Sequence, residues 1–127
     1  VPKYKVFTEF GVDSPGTRNA RRIDALVAET LTTEHPRQIK LHGIEIKVSR
    51  SDLEHDDKMS EYTQYIDYFW IAIPPYLITD AKNLTLPEWG ILAVDQEKLE
   101  VVRNASHNHE YGAFRDITLS EIVYKLL

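Results

Sequence analysis

Ile44-Glu45-Ile46-Lys47-Val48 is the stretch on which the reading of this chain turns. Three β-branched residues alternate with Glu45 and Lys47, so in a strand both charges project from one face and the hydrophobic side chains from the other. The Glu-x-Lys spacing alone says little, because eleven Glu and eight Lys in 127 residues produce about 0.7 such tripeptides by chance. Its setting inside the apolar run from Ile39 to Val48 carries the information.

A second run upstream, Arg22-Ile23-Asp24-Ala25-Leu26-Val27, alternates in the same way. It predicts Ile23, Ala25 and Val27 on one face and Asp24 with Arg22 on the other. If the two strands pair in a suitable register, Asp24 and Glu45 meet across the ladder with Cβ atoms about 4.5 to 5.5 Å apart. At about 5 Å and an effective dielectric near 20, their repulsion is roughly 3 kcal/mol, which calls for compensation. A divalent cation supplies it. Oxygen ligands in a chain without cysteine point to Mg²⁺, which takes one or two carboxylates together with waters and substrate phosphate oxygens. In such a site Asp24 and Glu45 hold the metal, the metal acidifies a water, and Lys47 orients or deprotonates the nucleophile. The competing reading makes Glu45 and Lys47 an ordinary solvent-facing stripe of an antiparallel sheet.

Composition bounds these readings. A chain of 127 residues with 43% hydrophobic and 28% charged residues is expected to form a single domain over residues 1–127 and is not of the disordered class. No apolar run approaches the roughly 20 residues that span a bilayer, so no membrane association is expected. The lack of cysteine fits a cytoplasmic protein, and there is no apolar signal region after Val1, which stands where an initiator Met would. A net charge of −5 runs against nucleic-acid binding. The basic residues are bunched, however: Arg18, Arg21 and Arg22 lead into Asp24, and Lys47, Arg50 and Lys58 flank Glu45, a basic rim suited to a phosphodiester.

Along the chain, Lys3 to Phe10 reads as a first strand, Gly11 to Asn19 as a turn, Arg21 to Glu29 as a second strand and Thr30 to Arg37 as a polar connection. Gln38 to Val48 is the third strand of this antiparallel meander. Ser51-Asp52-Leu53-Glu54 has the capping-box pattern, which predicts a helix from Ser51 to about Tyr65. Tyr68 to Ile73 is a buried strand expected to lie parallel to the third, followed by a short helix from Tyr76 to Ala81. Trp89 to Asp95 and Leu99 to Arg103 read as two further strands, and Thr118-Leu119-Ser120-Glu121 as a second capping box opening a helix to Leu127. His107 and His109 read as a surface pair in a polar loop, and neither a Walker loop nor a dinucleotide glycine fingerprint is present, so no nucleotide cofactor is expected.

Three blocks carry a family resemblance: Arg21-Arg22-Ile23-Asp24, then Glu45-Ile46-Lys47-Val48-Ser49-Arg50-Ser51-Asp52-Leu53, then Asp56-Asp57-Lys58-Met59-Ser60-Glu61-Tyr62. With Asp67 to Pro74 and Leu86 to Asp95, over about residues 6 to 105, they resemble the MmcB-like putative DNA repair endonucleases of the PD-(D/E)xK nuclease superfamily. The resemblance implies an α/β fold with a restriction-endonuclease-like αβββαβ core, a mixed central sheet flanked by helices. It implies that Asp24, Glu45 and the Ile46 carbonyl bind Mg²⁺, with Mn²⁺ as a substitute, and that Lys47 is the catalytic lysine. Arg21, Arg22, Arg50, Lys58 and Tyr62 become candidates for contact with DNA, and Glu9 and Asp52 auxiliary acids.

The chain departs from the family pattern in three places. Ile23 replaces the family's proline, Met59 stands where tryptophan is usual, and the leading helix has no counterpart, as in a truncated N-terminus. The expected activity is Mg²⁺-dependent endonucleolytic hydrolysis of DNA in repair. Its alternatives are a catalytically silent domain of the same fold that binds nucleic acid or protein, and a purely structural α/β protein. DNA is the expected partner, and a homodimer stays open.

Overall fold

The computed structural model describes residues 2–13, 20–31, 38–55, 59–107 and 111–126, with the side chains at 2, 12, 13, 20, 21, 31, 38, 59 and 60 excepted. The elements run β1 (Pro2–Asp13), β2 (Ala20–Leu31), β3 (Gln38–Ile46), α1 (Arg50–His55), α2 (Met59–Tyr62), β4 (Tyr68–Ile73), α3 (Ile78–Leu84), β5 (Gly90–Asp95), β6 (Lys98–Arg103) and α4 (Arg115–Leu126). A 3-10 turn at Thr63–Tyr65 follows α2 and another at Pro75–Leu77 precedes α3. Among the described residues no helix is long and apolar enough to cross a membrane.

The six strands form one mixed sheet in sequence order. β1, β2 and β3 are an antiparallel meander, β4 lies parallel to β3 and β5 parallel to β4, and β6 turns back antiparallel to β5. The chain is thus a mixed α/β protein. Parallel pairing of β3 with β4 needs a crossover, which α1, α2 and the turn after them supply.

One face of the sheet is covered by these helical segments. β4 alternates cleanly, burying Phe69, Ile71 and Ile73, and these join Leu41 from β3, Ile91 from β5, and Leu53, Tyr65, Leu77 and Ala81 from the helices and turns in one core. The positions between them face away, and Tyr4, Val6, Ile46, Val48, Val94 and Val101 remain exposed.

Several expected boundaries move. The N-cap of α1 is Ser49, whose hydroxyl accepts the Asp52 amide at 3.1 Å, while the Asp52 carboxylate accepts the Val48 amide at 3.1 Å. The cap therefore sits two residues before the predicted Ser51. Thr118 does not open α4 but lies within it, because its hydroxyl is buried and donates to the Tyr65 carbonyl at 2.7 Å. A tertiary bond has claimed the group that the pattern assigned to a cap. β1 and β2 also extend to Asp13 and Leu31, into the predicted turn and connection, since each carries the pairing of the other.

The predicted alternation in β2 holds only in part. The buried residues are Ile23, Leu26 and Ala28 rather than Ile23, Ala25 and Val27, so the strand changes face between Asp24 and Leu26. β1 does the same: Phe7 and Phe10, three apart, pack edge to face with centroids at 5.6 Å. Between them Glu9 has φ of 49°, a left-handed conformation unusual for a residue with a Cβ, and the β1–β2 pairing skips Glu9 and Asp24 while keeping Thr8 with Ala25 and Phe10 with Ile23. One irregular step thus turns both strands over together.

Candidate metal centre

The β2–β3 register sets the acidic pair. Ala25 pairs with Ile44, and one step further Asp24 comes level with Glu45, but the ladder ends there and the strands part. The backbone groups left without ladder partners are taken up by the two carboxylates. The Asp24 amide donates to Glu45 Oε1 at 3.2 Å, and the Ile46 amide donates to Asp24 Oδ2 at 2.9 Å. On its other side β3 stays paired, with the Lys47 amide donating to the Ala72 carbonyl at 2.9 Å.

Glu45 and Lys47 share a face, as alternation requires, but it is the covered face that also carries Leu41. Glu45 is 5% and Lys47 8% exposed, whereas Ile46 and Val48 are 56% and 59% exposed. An ordinary strand in a one-sided sheet places its charges in water and its β-branched residues inside. Here the order is inverted, which rules out the solvent-facing stripe. Burying a carboxylate and an ammonium costs several kcal/mol per ion unless they are paired or bound, so the inversion needs a compensating interaction.

The electrostatics show the cost. Burial, first, and the neighbouring Asp24 charge, second, push the Glu45 carboxyl up from 4.5 to about 8, against the opposing pull of the Asp24 amide and of Lys47. Lys47 therefore acts on the same carboxylate that Asp24 repels. Two adjoining carboxylates, with the Ile46 backbone between them, offer hard oxygens of the kind Mg²⁺ accepts, and a cation would lower the repulsion and the burial cost together. Among the described residues no group of three or more His, Asp or Glu side chains gathers, so Glu9 does not join the pair.

The other predicted residues lie apart from this centre in role. Asp52 is engaged in the α1 cap. Arg50 is exposed but bound, its guanidinium 2.6 Å from Glu54 and 3.3 Å from Asp80. Arg22 is exposed on β2, opposite Gly11. Tyr62, 7% exposed, packs in the core with the helical layer. Arg21 belongs to β2, with its side chain outside the described set, and Lys58 lies outside the described residues.

Sequence reasoning missed a polar cluster on the far side of the sheet. His42 Nε2 meets Glu29 Oε1 at 2.9 Å, Trp70 Nε1 donates to His42 Nδ1 at 3.1 Å, and the imidazole stacks on Tyr68 at 4.9 Å. Because Nδ1 accepts, Nε2 carries the proton and donates to Glu29. Only the register, which sets His42 beside Tyr68, could have found it.

Comparison with known proteins gives a likeness of fold. The structure is similar to that of the SPO1766 protein of unknown function from Silicibacter pomeroyi, with a TM-score of 0.67 and 24% identity over 97% of this chain and 74% of that one. No family model matches the chain, and no curated protein does.

Proposed function

We propose that the chain is a Mg²⁺-dependent endonuclease that hydrolyses DNA phosphodiester bonds, as the resemblance to MmcB-like nucleases of the PD-(D/E)xK superfamily implies, with Mn²⁺ able to substitute and with repair in the cytoplasm as its setting. The observation that carries this reading is the burial of Glu45 and Lys47 beside Asp24 where β2 and β3 part. Asp24, Glu45 and the Ile46 carbonyl would hold the ion. When bound, it would acidify a water and offset charge gathering on the phosphate.

The remaining work falls to the chain. Lys47 orients the attacking water and stabilises charge on the phosphate oxygens. Asp24, fixed by the Ile46 amide, keeps one carboxylate at the mouth of the fork, and the covered face limits competing solvent around Glu45. A catalytically silent domain is favoured by one observation: each carboxylate already accepts a backbone amide from the neighbouring strand.

Incubation with single-stranded, nicked, mismatched and branched DNA in Mg²⁺ or Mn²⁺ separates the two. Cleavage that falls by about 10²-fold or more in Lys47→Ala supports the enzyme. Binding without cleavage of any of these substrates supports the silent domain.

A further inference from the structure

Ile46 belongs to two places at once. Its backbone amide lies in the acidic centre, donating to Asp24 Oδ2, while its side chain points to the open face of the sheet and lines a groove of about 430 Å³. Val48, Ala72, Ile73, Pro74, Tyr76 and Val94 complete the surroundings, so the walls are almost wholly hydrocarbon and aromatic. We propose that this groove receives an unpaired base, so that the strand presented to Asp24 and Glu45 is single-stranded or flapped DNA rather than intact duplex. The inference rests on the nuclease reading for the site and adds the substrate class.

Tyr76 supplies the first argument. Its ring is 72% exposed, yet its hydroxyl donates to the Val48 carbonyl at 2.6 Å, so the ring is held at its far end while its face stays open. An aromatic side chain restrained before binding loses little freedom when a base stacks on it. Stacking also tolerates any sequence, because every base has a π-face.

Charge supplies the second. Duplex DNA presents phosphates outward, and its recognition rests on free lysine and arginine. Next to this groove Lys47 is buried and Arg50 is already engaged by Glu54 and Asp80, in a chain of net charge −5. With apolar walls and, among the described residues, no lysine or arginine in its lining, the groove rewards an exposed base face more than a phosphate pair. Ile46 joins the two places, its amide in the acidic centre and its side chain in the wall of the groove.

The test is binding in EDTA, which removes cleavage from the measurement. Fluorescence anisotropy is read with a labelled oligothymidylate, a flapped duplex and a blunt duplex. The single strand and the flap are expected to bind more tightly than the blunt duplex. Tyr76→Ala is expected to weaken them by about 5- to 150-fold, with Tyr76→Phe keeping most of the affinity. Val94→Glu, a substitution at an exposed position, should weaken them as well. Equal binding of blunt duplex, or wild-type affinity in Tyr76→Ala, overturns the proposal. So does self-association lost in Val94→Glu with no DNA bound, which would make a second copy the occupant. Failure of the two readings is distinguishable: Tyr76-dependent strand binding by a protein that cuts nothing keeps the groove and removes the nuclease. Metal-dependent cutting indifferent to Tyr76→Ala does the reverse.

Discussion

Asp24 and Glu45 are bound to each other's strands at the point where β2 and β3 separate, the Asp24 amide to Glu45 Oε1 at 3.2 Å and the Ile46 amide to Asp24 Oδ2 at 2.9 Å. Burial of Glu45, first, and the adjacent Asp24 charge, second, push its carboxyl up to about 8, so Glu45 holds a proton at neutral pH.

Stability should follow that proton. Glu45 titrates near 8 when folded and near 4.5 when not, so between these values the native state holds a proton that the unfolded chain has released. Unfolding is then favoured as pH rises, and stability falls from about pH 5 to about pH 8 and levels above it. Urea midpoints measured in EDTA across this range should show the decline in the parent protein and a flatter profile in Glu45→Gln. Identical slopes in the two proteins would place its origin elsewhere.

Metal binding should run the other way. An ion must displace the proton on Glu45, so apparent affinity for Mn²⁺ is expected to rise by about tenfold per pH unit below about pH 8. Calorimetric titration checks the slope. At fixed pH the metal should raise the melting temperature of the parent protein and leave Asp24→Asn unmoved. The absence of any shift at millimolar Mn²⁺ would count against a metal centre.

Gly90 and Gly43 offer a packing comparison on the two faces of the sheet. A Cβ at Gly90 would lie 2.2 Å from Trp70 Cε3 and against the body of the indole, whereas one at Gly43 would meet the Ile66 Cδ1 tip at 2.8 Å. The indole is also held through Nε1 to His42, so it cannot swing aside freely. Gly90→Ala should cost about 2 kcal/mol or more and Gly43→Ala less, read from chemical denaturation. Equal losses would mean that Trp70 yields as readily as a methyl group.

Thr118→Val should destabilise by about 1 to 3 kcal/mol, because the near-isosteric change leaves the Tyr65 carbonyl without its 2.7 Å donor in a fully buried position. Thr118→Ser, which keeps the hydroxyl, should recover part of the loss. Denaturation of both variants decides whether the hydroxyl or the volume matters.

Much of the architecture was legible because strands announce themselves locally. Tyr68–Ile73 was read to the residue and its parallel pairing with β3 followed from the helical crossover. The helix starts were less legible, since Ser49 and Ser51 offer the same capping chemistry two residues apart and only the path of the chain chooses between them. The motif around Tyr62 does not reveal that its ring joins the core.

The sequence by itself determined that Glu45 and Lys47 share a side and that Asp24 lies in a strand able to face them, because period-two alternation is a property of each strand alone. Tertiary structure decided that this side is the covered one, that the register brings Asp24 level with Glu45, and that the strands part there. The faces of a sheet differ only in what packs on them, and the helices that make one face the interior come from the crossover, from the segment after β4 and from the C-terminal helix.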